Sequence, residues 1–199
     1  LTCANARLAV GFTGLAGCRG FNTREWLLST LNESAPPDRT AENIFNRFAV
    51  RASDQFRRLL LARDKKRLTI MATGYLYHHQ PPLGALAIIS NYDDIATGIS
   101  SPEAWDNFRC FYRTELRPNP GSIALFFRVG TFPAITEADS AKLVELVKGR
   151  KPAAAIVGKL VQIFRRAAES PQGGSVIGKQ LNSIILPSDH TREVQCGYH

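Results

Sequence analysis

The chain has 199 residues, 44% hydrophobic and 21% charged, with a formal net charge of +8. That size suits one globular domain that needs no disulfide or metal staple. No apolar run approaches the roughly 18 residues of a membrane-spanning helix, and no charged-then-apolar signal opens the chain, so a cytoplasmic protein that does not enter a membrane is expected.

The four cysteines, Cys3, Cys18, Cys110 and Cys196, are scattered without CxxC or metal-ligand spacing and read as reduced thiols. The basic residues fall in short clusters: Arg57 with Arg58, Arg63 to Arg67, Lys148 to Lys151, and Arg165 with Arg166. None is long enough for a nucleic-acid-binding arm. Three lie near the ends of predicted helices, where cations favour the negative pole of the macrodipole.

Leu8, Val10 and Phe12 alternate with Ala9, Gly11 and Thr13, the pattern of a first strand over Arg7 to Thr13. A glycine-rich loop, Gly14 to Gly20, leads to Asn22 and Glu25, a helix start. Trp26, Leu27, Thr30 and Leu31 form that helix's stripe, and Ala35-Pro36-Pro37 ends it. A second helix starts near Thr40, its core stripe running through Ile44, Phe48, Ala52, Phe56, Leu59 and Leu60. Lys66 to Tyr77 then alternates as a strand. Leu83 to Tyr92 is nearly all apolar, as a strand covered on both faces would be.

Asp93 to Glu103 reads as loop. Phe108, Cys110 and Tyr112 alternate with Arg109, Phe111 and Arg113, and Pro118 to Gly121 turns the chain into a return strand over Ser122 to Gly130. A helix over Glu103 to Leu116 competes with that hairpin, which we prefer. Thr136 and Asp139 cap a third helix carrying Ala138, Leu143 and Val147. Pro152 opens a fourth, with Ile156, Leu160, Ile163 and Phe164 inward. Gly173-Gly174 leads into a last strand, Ser175 to Leu186, and a polar tail follows.

Paired helices separated by antiparallel strands argue against βαβ winding and for two helical layers around a two-sheet core. With Arg7-Leu-Ala-Val-Gly-Phe-Thr-Gly14 before the helix pair, Lys66-Arg-Leu-Thr-Ile-Met-Ala-Thr-Gly-Tyr75 after it, and Val176 to Ile185 as last strand, the layout resembles the proteasome-type branch of the N-terminal-nucleophile (Ntn) hydrolases. The resemblance implies an α+β fold, a four-layer αββα sandwich of antiparallel sheets forming one domain over residues 1–199. It implies that the fold is entered midway, because the family's nucleophile-bearing strands precede the segment matching Leu8 to Thr13. The ending Cys196-Gly-Tyr-His199 reads as interrupted too, or as a short disordered tail.

In that family the first residue of the processed chain, a Thr, Ser or Cys, is activated by its own terminal amine. Thr2 and Cys3 make poor candidates, with a leader of one or two residues before them and no strand pair following. By the resemblance, Gly14 matches the turn whose backbone N–H faces the developing oxyanion. A glycine required by a tight turn would look the same. Thr13, Leu15 and Ala16 would line a substrate cleft. Thr131 matches a small hydroxyl residue near the nucleophile. Ser170 and Ser175 stand where active members carry an Asp and a Ser, but Glu169 to Ser175 contains no Asp.

His78-His79 invites a metal and Asp93-Asp94 a Ca²⁺ or Mg²⁺, yet neither has ligand spacing, and a polar loop and a turn are the preferred readings. No GxSxG elbow, HExxH, phosphate-binding loop or dinucleotide fingerprint occurs, so no metal or cofactor is expected. The expected function is hydrolysis of a peptide or small amide substrate, with the nucleophile outside this chain. The alternatives are a non-catalytic ring subunit, a homo-oligomer joined through its helical layers, and a basic nucleic-acid-binding domain.

Overall fold

The computed structural model describes residues 1–34, 39–116, 134–171 and 182–199. The expected helix stop at Ala35-Pro36-Pro37, the turn from Pro118, the return strand to Gly130, and the first part of the strand from Ser175 lie outside the described residues. What is described is mixed α+β, with four α-helices and antiparallel sheets. The chain divides into two compact units, Leu1–Arg117 with Ser188–His190, and Pro118–Pro187 with Thr191–His199.

The first unit opens with strand β1 (Ala6–Gly14), then a small ribbon of β2 (Gly17–Cys18) and β3 (Phe21–Asn22). Helix α1 (Thr23–Ser34) begins where the Asn22 side-chain oxygen accepts from the backbone N–H groups of Arg24 and Glu25. Helix α2 (Ala41–Arg58) starts at Thr40, whose hydroxyl accepts from Asn43 N–H. A 3-10 turn at Arg63–Lys66 leads into β4 (Leu68–Leu76) and β5 (Leu83–Ser90). A ribbon of β6 (Asp93–Asp94) and β7 (Ile99–Ser100) forms within the segment expected to be loop. Then comes β8 (Arg109–Leu116), so this stretch is a strand rather than the competing helix.

β1, β4, β5 and β8 hydrogen-bond in the order β1-β4-β5-β8, every neighbour antiparallel. Alternation along each strand sends one set of side chains toward α1 and α2. Ala6 and Leu8, Ile70 and Ala72, Ala85, Ala87 and Ile89 are buried there against Leu27, Leu31, Ile44, Phe45 and Phe48. Aromatic rings close this layer: Phe56 meets Phe108 edge-on at 5.0 Å and Phe21 at 5.7 Å, and Trp26 lies 5.4 Å from Phe48. β5 is buried on both faces, because Leu86 and Ile88 on the side away from the helices are as inaccessible as Ala85 and Ala87.

In the second unit, α3 (Glu137–Lys148) carries the expected capping box. The Thr136 hydroxyl accepts from Asp139 N–H, and the Asp139 carboxylate accepts from Thr136 N–H. α4 (Ala153–Glu169) begins after Pro152 and packs on α3. Of the four residues expected to point inward, Ile163 is fully buried, while Ile156, Leu160 and Phe164 are half-buried. The polar tail is a strand in part: β10 (Gln195–Tyr198) pairs antiparallel with β9 (Asn182–Ile185), with Gly197 opposite Ser183.

Two outcomes follow from this packing. Phe45 is wholly buried between α2 and the sheet, and Phe45→Ala is expected to cost about 4 kcal/mol, read from urea unfolding. A loss below about 1 kcal/mol would mean the site is not a packed core position. Asp139 is buried, and the Arg166 guanidinium 2.5 Å away, helped by Thr136, holds its carboxyl well below the usual carboxylate range. Its folded pKa therefore lies below its unfolded value, so its contribution is full above about pH 4 and is lost as pH falls below that. Asp139→Asn should accordingly lose less stability than the native chain between neutral pH and about pH 3, measured by unfolding at each pH. Parallel losses would overturn the assignment.

Candidate functional site

The glycine expected to turn the chain after the first strand does so. Gly14 ends β1 opposite Leu68 with φ of +108°. A Cβ built there would stand 2.2 Å from the Arg67 carbonyl oxygen, so no other residue fits without moving backbone. The next residue is fixed from both ends: Leu15 N–H donates to Arg67 O (2.8 Å), and the Thr23 hydroxyl donates to Leu15 O (2.5 Å). Ala16 O accepts from Thr23 N–H at 3.0 Å. Gly14 and Ala16 are exposed, Thr13 is half-buried, and the Leu15 side chain packs against the helix–sheet core.

Thr13 lies at one end of a polar row crossing the whole sheet on the face away from the helices. Thr13 pairs with Thr69, Thr69 with Ser90, and Ser90 with Arg109. The hydroxyls of Thr69 and Ser90 are 2.7 Å apart and buried, and Thr69 donates onward to Asp93 (3.3 Å). Ser90 Oγ accepts from the N–H groups of Tyr92 and Asp93, and Ser100 donates to Asp93. Burial pushes the Tyr92 hydroxyl above its ordinary pKa, with the Arg67 guanidinium 5.3 Å from its ring centre. Arg109 pairs with Asp94 and lies 4.3 Å over the Trp105 ring. Asp93 and Asp94 are thus engaged by side chains and fix a turn. Such satisfied networks hold geometry and do not by themselves activate a nucleophile.

Ser170 caps α4, its hydroxyl donating to Ala167 O at 2.8 Å. Thr131 and Ser175 lie outside the described residues. His78 and His79 sit in the turn between β4 and β5 with ring centres 4.0 Å apart, so the turn, not strand alternation, sets their directions. Among the described residues no group of three His, Cys, Asp or Glu side chains could hold a metal ion. All four cysteines are free, and burial pushes the Cys110 thiol up to about 11, which keeps it protonated and unreactive.

Sequence reasoning did not anticipate a cleft in the second unit. It has a volume of about 540 Å³ and lies between α4 and the β9–β10 hairpin. Val157, Val161 and Ile185 give it apolar walls, and Gln162, Arg165 and Gln195 bring polar ends. On the hairpin side of it, Ser183 Oγ and His199 Nε2 meet at 2.9 Å. They pass over the α-carbon of Gly197, where a Cβ would stand 2.6 Å from the hydroxyl and 2.7 Å from the ring nitrogen. Among the described residues no Asp or Glu side chain lines the cleft, so none of them gives the imidazole the third group of a Ser–His–Asp arrangement there. The sequence signal was the unusually wide apolar arc of α4, in which Val157 and Val161 fall outside the stripe assigned to the core.

No family model, no curated protein and no solved structure matches this chain. No helix among the described residues is long and apolar enough to cross a membrane.

The turn at Gly14 makes its own prediction. Gly14→Ala places a side chain at positive φ against the Arg67 carbonyl and should destabilise the protein by more than about 1 kcal/mol. An unchanged urea midpoint would show that the close approach is not made.

Proposed function

We propose that this chain forms the body of a four-layer αββα hydrolase of the Ntn kind, cleaving a peptide or small amide bond with a nucleophile supplied from outside these residues. The observation that carries the reading is Gly14. It is a glycine required by positive φ and by backbone contact, placed between the first strand and the helix pair, where such an enzyme needs backbone to approach the reacting carbonyl closely. Supporting it are the helix pair laid on one face of an antiparallel sheet, and the burial of Leu86 and Ile88 on the other face, as a second sheet layer requires. Thr13, Leu15 and Ala16 around Gly14 would line the cleft, Leu15 through its backbone because its side chain packs against the core, and the free cysteines suit a cytoplasmic protein.

A second reading, a non-catalytic ring subunit of the same architecture, is favoured by two observations. Glu169 to Ser175 carries no Asp to support a terminal amine, and Ser170 is committed to the end of α4. Leu28 on α1 and Val50 on α2 are 55% and 63% exposed, apolar contacts that a neighbouring copy could cover through the helical layer. Basic nucleic-acid binding has no comparable support, because Arg57, Arg63, Arg109 and Arg166 are each paired with a carboxylate.

The deciding experiment takes the protein as its native host produces it, identifies its first residue by mass spectrometry, and assays it on peptide amides. The hydrolase reading expects an initial Thr, Ser or Cys whose replacement by Ala lowers turnover by about 10³-fold or more. Turnover unchanged by that replacement sinks the mechanism. A closed ring by native mass with no turnover favours the second reading.

A further inference from the structure

Helix α4 carries more apolar surface than its contact with α3 consumes. Ile163, Ala167 and Ala168 are buried, with Phe164 against the last two. Val157 and Val161, one turn apart, extend the same apolar arc past Ala168 and face the cleft with Ile185 of the hairpin. Between them in the same wall stands Gly158, in the interior of a helix of 17 residues. A glycine there weakens the helix relative to alanine. The usual reasons for tolerating one do not apply. Its φ is not positive, and outside its chain neighbours and the backbone of its own helical turns no described heavy atom lies within 4 Å of where a Cβ would stand. What its missing side chain does is leave the cleft open.

Among the described groups lining that opening Arg165 carries the fixed charge, and neutral polar groups stand beside it. Arg165 lies two turns along α4 from Gly158 and forms no ion pair among the described residues. Gln162 and Gln195 offer amide donors, and the Ser183–His199 pair offers a hydroxyl and an imidazole. Among the described residues no acidic side chain lines the cleft to oppose them. A volume of about 540 Å³ falls within the roughly 300–1,000 Å³ of small-molecule sites. We propose that this cleft binds a small carboxylate-bearing molecule with an apolar body, its carboxylate on Arg165 and its body against Val157, Val161 and Ile185. This site is independent of the hydrolase reading and stands or falls apart from it.

The test uses the full chain, with 4-phenylbutyrate and its uncharged primary amide as probes, binding being read by calorimetry and by amide NMR shifts. The acid should bind saturably, shifting resonances of α4 and the hairpin, and the amide should bind about tenfold more weakly or worse. Arg165→Gln should weaken the acid by about tenfold while leaving the amide unchanged. Gly158→Leu, which places a side chain in the opening and a better helix former in α4, should keep the circular dichroism spectrum and lose both ligands. Absence of saturable binding, equal affinity for acid and amide, or binding that survives Gly158→Leu would each overturn the proposal.

Discussion

Burial of one stripe of α2 on the middle strands organises the first unit. Ile44, Phe45, Phe48, Ala52 and Phe56 recur at helical spacing and are almost inaccessible, as are Ile70, Ala72, Ala87 and Ile89 beneath them. Each large side chain taken from water contributes about 1.5–3 kcal/mol, and much of that sum goes to offset the entropy of ordering the chain. The small residues Ala41, Ala49 and Ala52 let the helix sit close to the sheet. Ser53 then ties α2 to the approach of β8, donating to Ala49 O at 2.7 Å and accepting from Phe108 N–H at 2.8 Å. One helix thus fixes both the central strands and the start of the outer one.

The sheet that results is bounded by polar groups whose partners are all internal. Asn91, buried, accepts from Leu68 N–H and donates to Lys66 O, closing the end where β4 and β5 diverge. At the same end the Thr69 and Ser90 hydroxyls satisfy each other. On the far strand pair, Gly74 meets Leu8 so closely that a Cβ would lie 2.0 Å from Arg7 O. Between these constraints β1 has one register. That register puts Thr13 into the polar row and Gly14 at the edge of the loop.

The elements legible in the sequence were those with local causes. Helices α2 and α3 begin where Thr40 and Thr136 cap them, and such caps need only neighbouring residues. β4 alternates because it is covered unequally, while β5 is apolar throughout because both faces are buried. The ribbons β2–β3 and β6–β7 escaped notice because two residues carry no periodicity. β10 was hidden for a different reason. Most of Gln195 to Tyr198 is exposed, so the strand is held by backbone pairing with β9 and leaves no apolar pattern to find. Of the candidate site, Gly14 was legible because its loop is rich in glycine, but the contact with Arg67 depends on a strand more than fifty residues away.

The cleft escaped for the same physical reason that makes it informative. A helix packed on one neighbour needs one apolar stripe, and α4 offers a broader arc. Read from sequence, the surplus merges with the core stripe. Placed in the fold, Val157 and Val161 face the hairpin across an open space, and Gly158 keeps that space from being filled. Ser170, which the family resemblance would draw into chemistry, is held by the last turn of the same helix. The groups that converge are instead Arg165, Ser183 and His199, which no hydrolase argument requires. The chemistry proposed at Gly14 and the binding proposed at α4 rest on different residues in different units, so a result against either proposal leaves the physical case for the other intact.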